Sequence, residues 1–217
     1  MHKSINNLVS IKAELKSKFQ YSEKIKIITV SKTFSSDNIL PLIKHGQIHF
    51  GENKVQEALE KWTEIKKDFP NIRLHMIGKL QTNKVKFVIP LFDYIHSLDN
   101  IKLAKKISEE QKKINKKLKI FIQVNIADEK QKGGIRPFEL NNFYKICVSE
   151  FNLNIIGLMC IPPNDNKTNI YFSEMKKLRS TINVEDLSMG MSQDYLKAIE
   201  NGATYIRIGT KIFGSRA

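Results

Sequence analysis

The chain has 217 residues, which fits one domain, and its apolar fraction of 41% is enough for one buried core. No apolar run approaches the ~20 residues that a membrane-spanning helix needs. The first residues mix lysine, serine and asparagine through their apolar positions, which excludes a secretory leader. We therefore expect one cytoplasmic domain over residues 1–217.

The formal charge of +14 raises the question of a nucleic-acid partner. Of the 36 basic residues, 31 are lysine and 5 are arginine, and the lysines are scattered along helical segments. We find no basic arm with aromatic residues interleaved. Most of this charge is therefore interpreted as solvated helix faces, and nucleic-acid binding is the weakest hypothesis.

The cysteines and histidines do not point to a metal site. Cys147 and Cys160 have no metal-binding spacing and form no CxxC motif, so we expect two buried free thiols in a reducing compartment. His45, His49, His75 and His96 are spread along the chain and form no recognised metal-ligand motif. We therefore predict no metal.

After an amphipathic helix over residues 4–19, short β-branched runs alternate with helical patterns. The predicted strands are Ile25–Val30, Ile48–Phe50, Arg73–Ile77, Tyr94–Ser97, Lys119–Asn125, Asn154–Ile161, Asp186–Met189 and Tyr205–Ile208. The predicted helices are Ser36–His45, Val55–Lys67, Thr82–Val88, Asn100–Asn115, Pro137–Glu150, Ile170–Thr181 and Gln193–Asn201. This alternation predicts an α/β fold, a single (β/α)8 TIM barrel. Because the runs at 48–50 and 186–189 are weak strands, a seven-stranded open sheet is the alternative.

The loops after the last two strands suggest a phosphate site. In such barrels, function resides on the loops after the carboxyl ends of the strands. Ser192 precedes a predicted helix, where it could cap the helix or bind an anion. Gly209 and Thr210 offer backbone N–H groups at the end of the last strand. Ordinary turn chemistry explains either loop alone, but the two together favour phosphate.

Lys32 follows the apolar run at 27–30 and so stands at the mouth of the predicted barrel. A lysine that loses water on one side can attack a carbonyl and form a Schiff base. An ordinary surface lysine is the alternative.

Arg207 lies inside the last strand between two isoleucines, so its side chain is expected to point into the barrel. A structural ion pair with Glu52 or Asp186 and a ligand-facing role are equally open, because a buried charge needs a partner. His75 on the third strand is, from the residues alone, better explained as a hydrogen-bonded core histidine.

With these residues in place, the sequence closely resembles the pyridoxal phosphate homeostasis proteins. That family looks like the barrel domain of alanine racemase standing alone. The segments that carry the resemblance run in order over nearly the whole chain. They are VSKT at 30–33, FGENKVQE at 50–57, HMIGKLQTNK at 75–84, HSLD at 96–99, LSMGMS at 187–192 and IRIGT at 206–210.

The resemblance implies a barrel of the alanine racemase amino-terminal type, known as fold type III among pyridoxal phosphate (PLP) proteins. It also implies roles for individual residues. Lys32 matches the lysine that forms a Schiff base with PLP, and Arg207 matches the arginine that faces the pyridine nitrogen. The remaining expected cofactor-binding residues are Asn53, His75, Ser188, Ser192, Gly209 and Thr210.

An arginine beside the pyridine nitrogen has a chemical consequence. Arginine only donates hydrogen bonds, so the nitrogen stays unprotonated and the ring becomes a weaker electron sink. In alanine racemase, a tyrosine from a second domain and a partner subunit supplies the opposing acid or base. This sequence ends at Ala217, just after the barrel, so we expect no such group and no catalytic residues.

The leading hypothesis is therefore a non-catalytic, monomeric PLP carrier that serves homeostasis and delivers cofactor to apo-enzymes. A PLP-dependent racemase-like enzyme is the first alternative, and it predicts exchange of an amino-acid α-proton. A Schiff-base aldolase acting on a sugar phosphate is the second, and it would carry no chromophore. Nucleic-acid binding, the last, predicts strong dependence on salt.

Overall fold

The computed structural model describes residues 2–163 and 165–214, and in it parallel strands close into a barrel. The strands are β1 (Lys26–Val30), β2 (His49–Glu52), β3 (Arg73–Met76), β4 (Tyr94–Leu98), β5 (Lys119–Gln123), β6 (Asn154–Met159), β7 (Asp186–Ser188) and β8 (Tyr205–Ile208). They follow one another around the circle, and β8 returns to pair with β1. The (β/α)8 barrel is thus confirmed and the seven-stranded open sheet is wrong.

Helices connect the strands on the outside of this barrel. Within the described residues they are α1 (Lys3–Lys18), α2 (Ser36–Lys44), α3 (Val55–Asp68), α4 (Val85–Leu91), α5 (Ile101–Ile114), α6 (Leu140–Ser149), α7 (Thr168–Thr181), α8 (Tyr195–Glu200) and α9 (Thr210–Phe213). Short 3-10 turns precede α4 and α6, and α9 was not predicted. Over the same residues, no helix is both long and apolar enough to cross a bilayer.

The side chains of the barrel strands divide between two environments, because neighbours along a strand point to opposite faces. Ile206 and Ile208 of β8 pack into the large apolar layer between barrel and helices. Tyr205, on the same strand, packs inside the barrel in a smaller apolar cluster that includes Phe121. Arg207 alternates with the two isoleucines, so it shares the interior with Tyr205, as predicted.

Both cysteines are buried free thiols, as expected. Burial raises the pKa of Cys147 and of Cys160 to about 12. Thiolate is therefore scarce at neutral pH, and neither side chain is a candidate nucleophile.

A buried carboxylate ties the end of β1 to β2 and α3. Glu52 is fully buried, and its Oε1 accepts hydrogen bonds from Ser31 Oγ at 2.8 Å and Trp62 Nε1 at 2.9 Å. The same oxygen pairs with Lys61 Nζ at 3.0 Å, and that ammonium also donates to the carbonyl of Ser31 at 2.9 Å. The segment that leads into Lys32 is therefore held from two directions.

The residue after Lys32 is held in an unusual backbone conformation. Thr33 has a φ of +69°, in the left-handed region that a β-branched residue seldom adopts. Its N–H donates to Glu57, and the Glu57 carboxylate pairs with Lys61 at 3.1 Å. Surrounding contacts of this kind keep a strained conformation populated. The turn at 31–33 is thus built to present Lys32 in one way.

We expect Lys61→Met to lower the free energy of unfolding by about 3–5 kcal/mol, because it leaves the Glu52 carboxylate buried and unpaired. Lys67→Met, on the same helix, removes an exposed pair with Glu64 and should change it by less than about 0.5 kcal/mol. Urea denaturation of both variants measures the difference. Equal effects would show that the buried pair does not hold the turn.

Candidate functional site

A cavity of about 790 Å³ opens at the carboxyl ends of the strands, and we call it the carboxyl-end cavity. Six of the predicted site residues line it: Lys32, Asn53, Ser192, Arg207, Gly209 and Thr210. They come from the ends of β1, β2, β7 and β8 and the loops after them. The structure therefore brings together residues that lie up to 178 positions apart in the chain.

The walls of this cavity are partly apolar. Phe34 lies on one side and stacks on Phe213 with ring centroids 4.2 Å apart. Ile77, Pro162 and Met191 contribute further apolar surface. A flat organic ring would find van der Waals contact here, while the polar groups fix its orientation.

Asn53 is held against the cavity by a close approach of the loop after β3. A Cβ on Gly78 would lie 2.3 Å from the carbonyl oxygen of Asn53, so the two loops could not approach this closely with any other residue. The side-chain oxygen of Asn53 is buried, and no hydrogen-bond donor reaches it among the described residues. A buried acceptor of this kind calls for a donor from a ligand or a water.

The loops after β7 and β8 meet at Ser192. Its hydroxyl accepts a hydrogen bond from the N–H of Lys211 at 3.3 Å. The predicted capping role of Ser192 is wrong, because α8 begins later and Asp194 occupies the N-cap. The Asp194 carboxylate accepts from the N–H of Met191 at 2.6 Å, which closes the turn and leaves Ser192 at the cavity wall.

Arg207 is buried at 5% exposure and anchored by oxygen atoms of neutral groups. One terminal nitrogen donates to the carbonyl and the hydroxyl of Ser188 at 2.7 and 2.8 Å, and the other to the Cys160 carbonyl at 2.8 Å. Neither expected ion pair forms: the partners of Glu52 are described above, and Asp186 accepts from Thr204 Oγ1.

No carboxylate of the described residues pairs with Arg207, although the group lines the carboxyl-end cavity. Burial lowers the pKa of the guanidinium, yet an arginine keeps its charge in proteins. Three of its five N–H groups are used in the bonds to Ser188 and Cys160. The cation therefore has donor capacity left for a ligand with an acceptor atom.

His75 and Ser188, the other two predicted site residues, do not line this cavity. They lie in the barrel interior behind Arg207. There, Ser188, His96, His75 and His49 form a continuous series of hydrogen bonds, which we call the histidine chain. His96 Nδ1 lies 2.8 Å from Ser188 Oγ, and His96 Nε2 lies 2.9 Å from His75 Nδ1. His75 Nε2 in turn lies 2.9 Å from His49 Nδ1. Their predicted contact with a cofactor becomes at most an indirect one through Arg207.

Burial disfavours the charged form of the buried histidines in these hydrogen bonds. Burial holds the pKa of His75 and of His96 well below the usual range, and for His96 the nearby Arg207 charge lowers it further. His75 stacks on Tyr94 and His96 on Phe121, with centroids 4.1 and 4.3 Å apart. Packing and the adjacent cation therefore both disfavour protonation.

The sequence analysis did not predict the histidine chain, the hydrogen bonds of the buried Glu52 or the position of Asp194 at the cavity wall. One signal was present, since β2, β3 and β4 each carry an interior histidine and neighbouring strands of a barrel place such positions side by side. Spacing along the sequence tests for metal motifs only, and it does not show that these three rings meet. Within the described residues, no group of three or more potential ligands is arranged for a metal.

Comparison with known proteins identifies the family. Residues 7–217 match the family described as alanine racemase, N-terminal domain. The pyridoxal phosphate homeostasis protein of Haemophilus influenzae is 37% identical over 222 residues, which cover 97% of this chain and 94% of that protein. The protein of the same name from Aquifex aeolicus is 40% identical over 200 residues, covering 88% of this chain and 87% of that one.

Comparison with solved structures supports the same family. PipY of Synechococcus elongatus, determined without PLP, has a TM-score of 0.87 at 32% identity and covers 98% of this chain and 100% of its own. PipY with PLP bound has a TM-score of 0.78 at 32% identity, covering 93% of this chain and 97% of its own. With the fold, the cavity and these matches together, the chain belongs to the pyridoxal phosphate homeostasis protein family, built on the alanine racemase N-terminal domain.

Proposed function

We propose that this protein binds PLP through a Schiff base on Lys32 and holds it without robust turnover, for homeostasis and delivery of the cofactor. One observation carries the proposal: Lys32, Arg207 and the loops at Ser192 and Gly209 line a single cavity. An amine, a cation and a set of hydroxyl and amide donors are what the aldehyde, the ring nitrogen and the phosphate of PLP require. The relatives named above support it, because PipY has been solved with PLP bound.

The residues of the carboxyl-end cavity fit this cofactor. Its volume of about 790 Å³ lies within the ~300–1,000 Å³ typical of small-molecule sites. The Arg207 cation, which pairs with no carboxylate among the described residues, can donate to an acceptor such as a ring nitrogen. The buried oxygen of Asn53 needs a donor, and a phenolic hydroxyl can supply it.

When bound, PLP supplies a reactive aldehyde and a ring that withdraws electrons. The chain itself binds and orients. Lys32 provides the amine, Ser192 with Gly209 and Thr210 provides the donors for phosphate, and Arg207 stays charged beside the ring. Because arginine only donates, it keeps a neighbouring ring nitrogen unprotonated and so limits the electron withdrawal that turnover uses.

The lining also has few groups that could move a proton during a reaction. Among the described residues that line the cavity, Asp194 carries the one carboxylate, and its Oδ1 is engaged by the N–H of Met191. We therefore propose binding and release, not catalysis, as the main role. A monomer in the cytoplasm that passes PLP to apo-enzymes is the cellular setting we propose.

Purified protein given PLP should be yellow, and borohydride should bleach it and fix the cofactor on Lys32. Lys32→Ala should lose the visible band, because Lys32 is the one lysine among the described residues that line the cavity. Lys79→Ala, which removes an exposed lysine from the loop after β3, should keep it. Absorption spectra and peptide mass spectrometry measure this. Fixation on a different lysine would overturn the assignment.

Ser192→Ala should weaken PLP binding by about ten- to a hundredfold, the size expected for a hydrogen bond to a charged group. Binding of pyridoxal, which has no phosphate, should change little. Ser180→Ala, at an exposed position on α7, is the matched control. Equal losses for PLP and pyridoxal would show that Ser192 does not contact phosphate.

Exchange of the α-proton of alanine in heavy water should exceed that of free PLP by at most about tenfold, far below enzymatic acceleration. The physical reason is the donor-only Arg207 together with the scarcity of acid–base groups in the lining. Nuclear magnetic resonance of the amino acid measures the exchange. Rapid exchange that Lys32→Ala abolishes would favour the racemase-like alternative.

A further inference from the structure

A second cavity, of about 390 Å³, lies at the opposite end of the barrel, and we call it the amino-end cavity. It is bounded by α1 and by the first residues of β1 and β2. Three lysines line it, Lys12 and Lys16 from α1 and Lys26 from β1, together with His49. The volume falls within the range of small-molecule sites, ~300–1,000 Å³.

The charge of this cavity is predominantly positive. One glutamate, the exposed Glu23, stands against the three lysines in its lining. Within the described part of the chain, none of the three forms an ion pair with a carboxylate, although Lys26 lies 4.6 Å from the ring centre of Tyr205. Lys12 and Lys16 are exposed and Lys26 is partly buried, and partial desolvation lowers the pKa of Lys12. Concentrated positive charge without carboxylate partners favours an anion.

The hydrogen bonds of the histidine chain determine which ring nitrogen of His49 carries the proton. At its far end Arg207 donates to Ser188 Oγ, and arginine has no acceptor. The hydroxyl proton of Ser188 must therefore point elsewhere, and His96 Nδ1 at 2.8 Å is the acceptor available among the described residues. His96 Nδ1 is thus unprotonated, and the neutral ring carries its proton on Nε2.

The tautomer of His96 fixes the tautomers of the next two histidines in the histidine chain. His96 Nε2–H donates to His75 Nδ1, so His75 carries its proton on Nε2 and donates to His49 Nδ1. His49 then accepts at Nδ1 and is protonated at Nε2, on the far side of its ring. Burial first, and then the charges of Lys26 and Arg73, lower the pKa of His49 to about 4. His49 is therefore a neutral imidazole with one fixed donor.

We propose that the amino-end cavity is a second binding site, for a small phosphate-bearing molecule, held by His49 Nε2–H and the ammonium groups of Lys12, Lys16 and Lys26. All of these groups donate and three of them are cations, whereas the oxygens of a phosphate monoester dianion accept, so the two sets match in charge and in hydrogen-bond role. Gln47 belongs to the frame of the site, because its amide nitrogen donates to the carbonyls of Ile27 and His49. The proposal does not depend on PLP binding at Lys32.

Inorganic phosphate titrated into PLP-loaded protein with 15N-labelled histidine tests it. We expect pyridine-like Nδ1 and protonated Nε2 signals for the three histidines of the chain. The His49 Nε2 signal should shift saturably with phosphate. PLP occupies the carboxyl-end cavity in this experiment, so the response reports the other end.

If PLP does not bind, the same titration on Ser192→Asp still isolates the amino-end cavity, because the new carboxylate repels phosphate from the other one. Failure of the proposed function and failure of this site are thereby distinguished. No saturable shift of His49 would overturn the second site. An equal response to acetate would overturn its assignment to phosphate.

Substitutions in the lining test whether phosphate binds in the amino-end cavity. Lys12→Met and Lys26→Met should each weaken phosphate binding by about tenfold or more, and Lys24→Met, an exposed neighbour outside the lining, should not. His49→Phe should abolish binding, whereas His49→Gln, which restores a donor near Nε2, should retain most of it when read out by calorimetry. A loss in Lys24→Met as large as in Lys12→Met would indicate diffuse charge attraction and overturn the site.

Discussion

The buried charge of Arg207 is the constraint on which the interior of this barrel depends. A guanidinium removed from water needs acceptors on every side. Here the carbonyls of Cys160 and Ser188 and the Ser188 hydroxyl accept from three of its five N–H groups, and no described carboxylate pairs with it. The cation therefore keeps its field directed into the carboxyl-end cavity. A carboxylate partner would have cancelled most of that field.

The same donor-only group orders the polar atoms behind it. Because Arg207 cannot accept, the Ser188 hydroxyl must donate to His96, and each histidine after it has one defined tautomer. Burial in an aromatic interior keeps these rings neutral, so the chain adds no second charge beside the first. Both ring nitrogens of His75 and of His96 have hydrogen-bond partners, which holds these two rings in place. It also connects the two ends of the barrel through side chains alone.

Lys32 is positioned by different means. It follows a strand whose end is fastened by the buried Glu52 and Lys61 pair, and the left-handed Thr33 turns the chain immediately afterwards. The backbone that carries Lys32 is therefore fixed by its neighbours, and Lys32 and Arg207 line the same cavity. Among the described residues that line the cavity, the one carboxylate is that of Asp194, and its Oδ1 accepts from the N–H of Met191. The relatives with which this chain shares its family are named for pyridoxal phosphate homeostasis.

The sequence by itself determined the strands, the position of Lys32 at the end of β1 and the inward direction of Arg207, because local periodicity dictates strand faces. It also marked Ser192 and Gly209, since barrels use the loops after the last two strands. Only the tertiary structure decided that Arg207 lacks a carboxylate partner, that Asp194 and not Ser192 occupies the N-cap position of α8, and that His49 and His96 join His75. The physical reason is that these outcomes depend on which distant atoms meet across the closed barrel, and periodicity along the chain carries no information about those distances.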